Sequence, residues 1–131
     1  MTKTQYEQFS DLNIDFFESA KLSLLDPLAV SLANDVKWIK LNENWKSLKF
    51  PVVISGEGQP ILLLHGFDSS FLEFRRIYKS LKRNFQVIIP DLLGFGFSPR
   101  CASMEYNPSK IILHLIDILE TLQITNNLKI I

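Results

Sequence analysis

The sequence has a single cysteine, Cys101, in 131 residues. That excludes an internal disulfide framework and any multi-cysteine metal site, and it suits a reducing compartment. An excess of charge is missing too: Lys plus Arg number 14, and so do Asp plus Glu. Nucleic-acid binders carry a positive surplus to neutralise phosphates, so no nucleic-acid partner is expected. Long apolar runs are lacking as well. Leu22–Ala33, the greasiest early stretch, contains Asp26 and Pro27 and has about half the ~20 residues that cross a bilayer. The start, Met1-Thr-Lys-Thr-Gln-Tyr-Glu-Gln, puts no apolar segment behind a basic end. Neither a signal peptide nor a transmembrane segment is expected, and a cytoplasmic location is. Two histidines and one cysteine cannot supply the three or four convergent ligands of a zinc or iron site, so no metal and no cofactor are expected.

What the chain does have is enough apolar residue for a core, 47% against 21% charged, at the length of one ordinary domain. Residues 11 to 35 read as helical, with Phe17, Ala20, Leu24 and Leu25 along one face. Asp26-Pro27 reads as an N-cap and first-turn proline opening a second short helix that ends at Asn34-Asp35. This pair, a helical segment over residues 1–35, lacks convergent polar groups and reads as a docking or dimer element.

From Val36 the period changes to that of strands. Trp38–Leu41 and Phe50–Ser55 are joined by the polar run Asn42-Glu-Asn and end at Gly56-Glu-Gly58. Ile61–Leu64 and Phe85–Ile89 are apolar on both faces, the habit of parallel strands covered on both sides. Between them, Ser70-Phe-Leu-Glu73 reads as a capping box opening a helix with Phe74, Ile77, Tyr78 and Leu81 inward. Strand, helix, strand in about thirty residues is a βαβ unit. Asn107-Pro108 then opens a helix expected to bury Ile112, Leu115, Ile116, Leu119 and Leu122. Its opposite face would hold Lys110, His114, Asp117 and Thr121, with His114 solvated. Leu128–Ile131 starts another strand. The fold class is α/β, a mainly parallel sheet of about five strands with flanking helices.

Two turns carry the chemistry. His65-Gly66-Phe67-Asp68 follows the strand Ile61–Leu64, at the carboxyl end where ligands of open α/β sheets sit. Glycine there lets the backbone turn sharply and approach a substrate, and the Phe67 N–H can then point at a developing oxyanion. Asp91-Leu-Leu-Gly94-Phe-Gly96-Phe-Ser98 follows the strand Phe85–Ile89. Its two glycines relax the turn, and its aspartate can brace the neighbouring strand end. A nucleotide-binding turn is not present: neither stretch is G-x-G-x-x-G between strand and helix, and no G-x-x-x-x-G-K-[ST] occurs.

From about Trp38 to Ile131 the chain resembles the α/β-hydrolase superfamily. The resemblance rests on Leu64-His-Gly-Phe67, Asp91-x-x-Gly-x-Gly-x-Ser98, the helix start Tyr106-Asn-Pro-Ser109 and the strand opening at Leu128, in that order and spacing. It implies that residues 36–131 are the N-terminal portion of an α/β-hydrolase domain, of the serine-hydrolase type, acting on an ester, amide, epoxide or related small substrate. It also implies an oxyanion donor at the Phe67 N–H, with His65, Gly66, Asp91, Gly94 and Gly96 as structural residues of the turns beside the site.

In that superfamily the nucleophile stands in G-x-S-x-G just after the fifth strand, followed by the acid and the histidine. None of the three is found in these 131 residues, so no catalytic residue is assigned. Gly96-Phe-Ser98-Pro-Arg100 is a near miss, but it follows a glycine turn rather than a strand, and Pro99 removes a useful N–H. Ser69 and Ser70 read as helix caps, and Cys101 as an inert thiol. This chain alone is expected to be inactive, and the alternative to the hydrolase reading is an inactive fragment or non-enzymatic subunit. Its partner would be a separately encoded C-terminal half, or a second copy met through the exposed sheet edge.

Overall fold

The computed structural model describes all of Met1–Ile131. The first helix, α1, spans Lys3–Leu22, starting eight residues before the apolar periodicity does. The cause is Thr2, whose hydroxyl accepts from the Gln5 N–H while the Gln5 side chain takes the Thr2 N–H. This reciprocal cap satisfies two otherwise orphan donors. Helix α2, Pro27–Ala33, starts as expected, with the Asp26 carboxylate accepting from Leu28 N–H.

Five strands follow: β1 Val36–Lys40, β2 Lys49–Ser55, β3 Gln59–Leu62, β4 Phe85–Pro90 and β5 Lys129–Ile130. Their order across the sheet is β1-β2-β4-β3-β5. Pairings β1–β2 and β2–β4 are antiparallel, whereas β4–β3 and β3–β5 are parallel. The sheet is therefore mixed, with its parallel part at the site end. Strand β3 begins and ends two residues before the expected Ile61–Leu64. Ladder bonds nevertheless continue past it, from Leu63 N–H to Ile88 O and from Leu64 N–H to Ile131 O.

Alternation along β3 and β4 feeds two cores. Ile61, Leu63, Val87 and Ile89 join Phe17, Leu32, Phe71 and Tyr78 on the α2 side. Leu62 and Ile88 join Tyr6, Trp45, Phe50, Leu93 and Ile118 on the other. Helix α1 thus contributes to both layers. On the first side a 3₁₀ turn, Phe71–Phe74, runs into α3, Arg75–Leu81. Tyr78 of α3 is buried as expected, but Ile77 is exposed. Asp26 also takes Arg75 Nε at 2.8 Å, which pins α2 to α3.

Helix α4, Pro108–Thr121, covers the second face but is turned from the expected setting: Leu119 and the following Leu122 pack on the core as expected, while other expected positions exchange places. His114 and Ile118 are fully buried and Asp117 nearly so, while Ile112 is 57% and Ile116 47% exposed. Apolar residues occur nearly all round this helix, so spacing alone did not fix which face turns inward. Specific contacts did. Asp117 Oδ2 accepts from Trp45 Nε1 at 2.6 Å. The His114 ring lies edge-on to Phe50 and Trp45, with centroids 4.4 and 5.1 Å away. Neither His114 nitrogen has a hydrogen-bond partner, and burial drives the imidazole pKa down to about 3. His114 is thus a neutral core residue rather than a solvated one. Trp45 lies in a 3₁₀ turn, Glu43–Trp45, inside the loop that reads as merely polar.

Candidate active site

Strand β4 delivers Asp91 directly into its turn, and the carboxylate is fully buried. Oδ1 accepts from Phe71 N–H and Oδ2 from Phe97 N–H, both at 2.7 Å. Its backbone carbonyl takes the Ser98 hydroxyl at 2.8 Å. Burial pushes the Asp91 pKa up to about 7, against the pull of the two N–H donors, which favour the ionised form. Gly96, at φ 55°, is required twice over: a Cβ there would sit 2.3 Å from Asp91 Oδ2. Gly94 has φ 87°. Arg100 ties the loop from outside, donating from Nε to Gly94 O and from Nη2 to Gly96 O. Asn13 of α1 donates to Phe97 O at 2.7 Å. Ser98 is buried and spends its hydroxyl on the Asp91 carbonyl, a structural arrangement. Burial raises the Cys101 thiol pKa above its usual value.

The turn after β3 is built differently. His65 Nε2 accepts from Leu92 N–H at 2.9 Å, so the ring proton resides on Nδ1, 2.8 Å from Gly66 O. His65 therefore bridges the two turns as a neutral imidazole. Its Nε2 lies 3.9 Å from Asp91 Oδ1, too far for a hydrogen bond. The Gly66 N–H donates to Glu73 Oε2 at 3.1 Å. Phe67 N–H donates to no group of the chain, and the Phe67 side chain is 90% exposed. Gly66 has no left-handed φ, and a Cβ on it would meet nothing within 4 Å. Neither the turn nor the chain's own packing demands that glycine, contrary to the sharp-turn expectation. Asp68 is the residue with the left-handed conformation, φ 56°.

Phe67, Leu92, Phe95, Arg100, Tyr106 and Ile111 are among the residues lining a cleft of about 500 Å³ beside this turn. Its wall is mostly apolar, and Arg100 is the charged group on it. Two residues take roles other than the expected helix cap. Ser70 caps Leu72 N–H, but Glu73 turns away from that cap to hold Gly66. Ser69 faces the Glu73 carboxyl instead of capping. The Ser-x-x-Glu spacing signalled a carboxylate close to the turn without revealing which N–H it takes.

Both turns lie at the carboxyl ends of adjacent parallel strands, within a stretch that comparison with known proteins places in a family. Residues 59–128 match the family described as alpha/beta hydrolase fold, and the chain belongs to it. Several of its relatives are named as hydrolases. It is 34% identical over 73 residues to 2-hydroxymuconate semialdehyde hydrolase of a Pseudomonas species, covering 53% of this chain and 26% of that protein. It is 44% identical over 48 residues to a soluble epoxide hydrolase of a Corynebacterium species, covering 37% and 17%. Among solved structures, a meta-cleavage product hydrolase from Pseudomonas fluorescens superposes with a TM-score of 0.59 at 30% identity, over 66% of this chain and 32% of that one. The chain thus spans about a quarter of the length of the first of these relatives. No helix is long and apolar enough to cross a membrane.

Proposed function

We propose that this chain forms the oxyanion-donor side of a serine-hydrolase-type active site acting on an ester, amide, epoxide or related small substrate. The observation that carries this reading is the Phe67 N–H, free of any partner in the chain, just past β3. Removing one such donor costs about 2.7–4 kcal/mol of transition-state stabilisation where it has been tested. The free N–H adjoins an apolar cleft able to take the body of a small substrate. His65, Gly66, Asp91, Gly94 and Gly96 hold the two turns in register and touch no reacting atom. The nucleophile, the acid and the proton-shuttling histidine would come from residues outside these 131. The 131-residue chain should then hydrolyse activated esters no faster than a buffer blank, and a serine-directed phosphonate should leave it unlabelled. Specific labelling of Ser98 would overturn the reading.

A second reading, a non-enzymatic subunit or fragment that pairs with a C-terminal half or with itself, is favoured by one feature. Ile130 of β5 and Ile112 and Ile116 of α4 are exposed, and β5 has a single neighbour in the sheet. Unpaired strand edges and apolar patches of this kind template association. Size-exclusion chromatography with light scattering tests the pairing: a monodisperse monomer with a cooperative melt would show that the chain folds without a C-terminal half or a second copy.

A further inference from the structure

Gly66 joins two peptide groups, and each is held at one end. The Gly66 N–H, in the first peptide, donates to Glu73 Oε2 at 3.1 Å. The Gly66 carbonyl, in the second, accepts from His65 Nδ1 at 2.8 Å. That second peptide also carries the Phe67 N–H. A trans peptide is planar, so its N–H points opposite to its carbonyl. Holding the Gly66 carbonyl toward His65 therefore aims the Phe67 N–H away from it. Glycine resists rotation of these peptides less than any other residue, and no Cβ contact restrains it here. Without a hold on the Gly66 N–H, the one contact left on this glycine's two peptides is His65 Nδ1 on its carbonyl.

We propose that Glu73 is a positioning residue for the Phe67 donor, fixing the peptide before Gly66 as the frame against which His65 holds the peptide that follows. The proposal deepens the oxyanion reading and rests on it for its purpose, though the clamp is tested separately below. Glu73 is exposed on the short 3₁₀ turn after the loop, where burial energy cannot be its purpose. Ser69 and the Gly66 N–H both act on its carboxyl, and its pKa lies below the usual glutamate value. Around it stand His65 from the end of β3, Asp68 in the turn, Arg75 at the start of α3 and Arg100 from the β4 loop. Arg75 is already engaged by Asp26 and Arg100 by two carbonyls, leaving the Gly66 N–H as a free-standing donor for the carboxylate.

The test uses the ¹⁵N-labelled full chain, with Glu73→Gln and Glu73→Ala. In the wild type, the Gly66 amide proton should move upfield on acidification, with a midpoint below 4.5, the ordinary glutamate value. Glu73→Gln should abolish that titration. In Glu73→Ala the residual dipolar coupling of the Phe67 N–H should fall to about half or less, as the peptide samples both orientations. Couplings along β3 and β4 should stay unchanged, which shows that the variant is folded. Glu73→Gln, which keeps an acceptor oxygen, should restore most of the Phe67 coupling. A Gly66 amide that ignores pH, or an unaltered Phe67 coupling in Glu73→Ala, overturns the clamp. Methylphosphonate, added as a tetrahedral anion, reports the parent reading separately. A wild-type Phe67 amide that shifts with it, with affinity about threefold lower in Glu73→Ala, supports both. A Phe67 amide that never responds, while the titration and coupling behave as stated, refutes the oxyanion reading and leaves the clamp standing.

Discussion

The turns after β3 and β4 end adjacent parallel strands and are both rich in small residues, yet they are built to opposite rules. In the β4 turn the Asp91 carboxylate and carbonyl, the Ser98 hydroxyl and the Gly94 and Gly96 carbonyls all have partners inside the chain. In the β3 turn the Phe67 N–H has none, and the Phe67 ring stands in solvent. One turn is rigid support. The other presents a donor outward, and His65 transmits the rigidity of the first to the second through Leu92 N–H and Gly66 O. A site needs that combination, because donors aimed at developing charge act only if they are held in place beforehand.

The sharpest way to break this contrast is Asp91→Ala. It strands the buried N–H of Phe71 and the half-buried one of Phe97, and a buried donor without an acceptor costs about 1–3 kcal/mol. We expect a loss of about 3 kcal/mol in urea unfolding, with the amides of both turns losing hydrogen-exchange protection. Next comes Gly96→Ala, expected to cost about 2 kcal/mol, because an L-residue is strained in the left-handed region and its Cβ would press on Asp91 Oδ2.

The pH dependence of stability should show a smaller net effect, since two buried groups oppose one another. The folded-state Asp91 pKa, raised from 3.8 to about 7, means that the native state holds a proton the unfolded state gives up. Its contribution is present below about pH 4 and is lost as pH rises through 7. His114, lowered from 6.5 to about 3, does the reverse: the unfolded state binds the extra proton. Its contribution is present above about pH 6.5 and is lost as pH falls through 3. Between pH 4 and 6.5 the slopes offset. Asp91→Asn should expose the His114 limb, with stability climbing steadily from pH 3 to 6.5. A flat profile in that variant refutes the assignment of the two buried groups.

The smallest change is the most pointed. Gly66→Ala fits a backbone without left-handed φ and meets nothing within 4 Å. It should stabilise the isolated chain by about 0.5 kcal/mol through unfolded-state entropy. A destabilisation comparable to that of Gly96→Ala would mean that the two turns share one building rule after all.

How legible all this was in the sequence depended on what set each feature. The existence of β3 and β4 and the starts of α2 and α4 were readable because local rules decide them: apolar runs for strands, Asp26-Pro27 and Asn107-Pro108 for helix starts. That His65 and Asp91 stand in neighbouring turns is what the resemblance implied, but the Asp91 carboxylate holds Phe71 N–H and Phe97 N–H rather than the neighbouring strand end. The buried face of α4 was not readable. With Ile and Leu nearly all round the helix, the choice fell to Trp45, a residue 72 positions from Asp117, whose indole N–H needed an acceptor. Glu73 was likewise seen as a helix-cap partner, because spacing gives its distance from Ser70 but not the path of the loop that brings Gly66 closer. Non-local polar pairing decided both cases, and no window of sequence contains it.

Strand β3 lies between β4 and β5, and this has a consequence for the order in which the chain becomes ordered. Its β4 partner follows after one short helix, but Ile61 and Leu62 pair on the other side with Lys129 and Ile130, 68 residues later. At ribosomal rates of about 5–20 residues per second, that edge stays open for roughly 3–14 s after β3 emerges. The strand that carries the Phe67 turn is thus half-zipped until Lys129 and Ile130 emerge, and the slowest kinetic phase of refolding should be the one that protects the Leu64 amide, whose acceptor is Ile131 O.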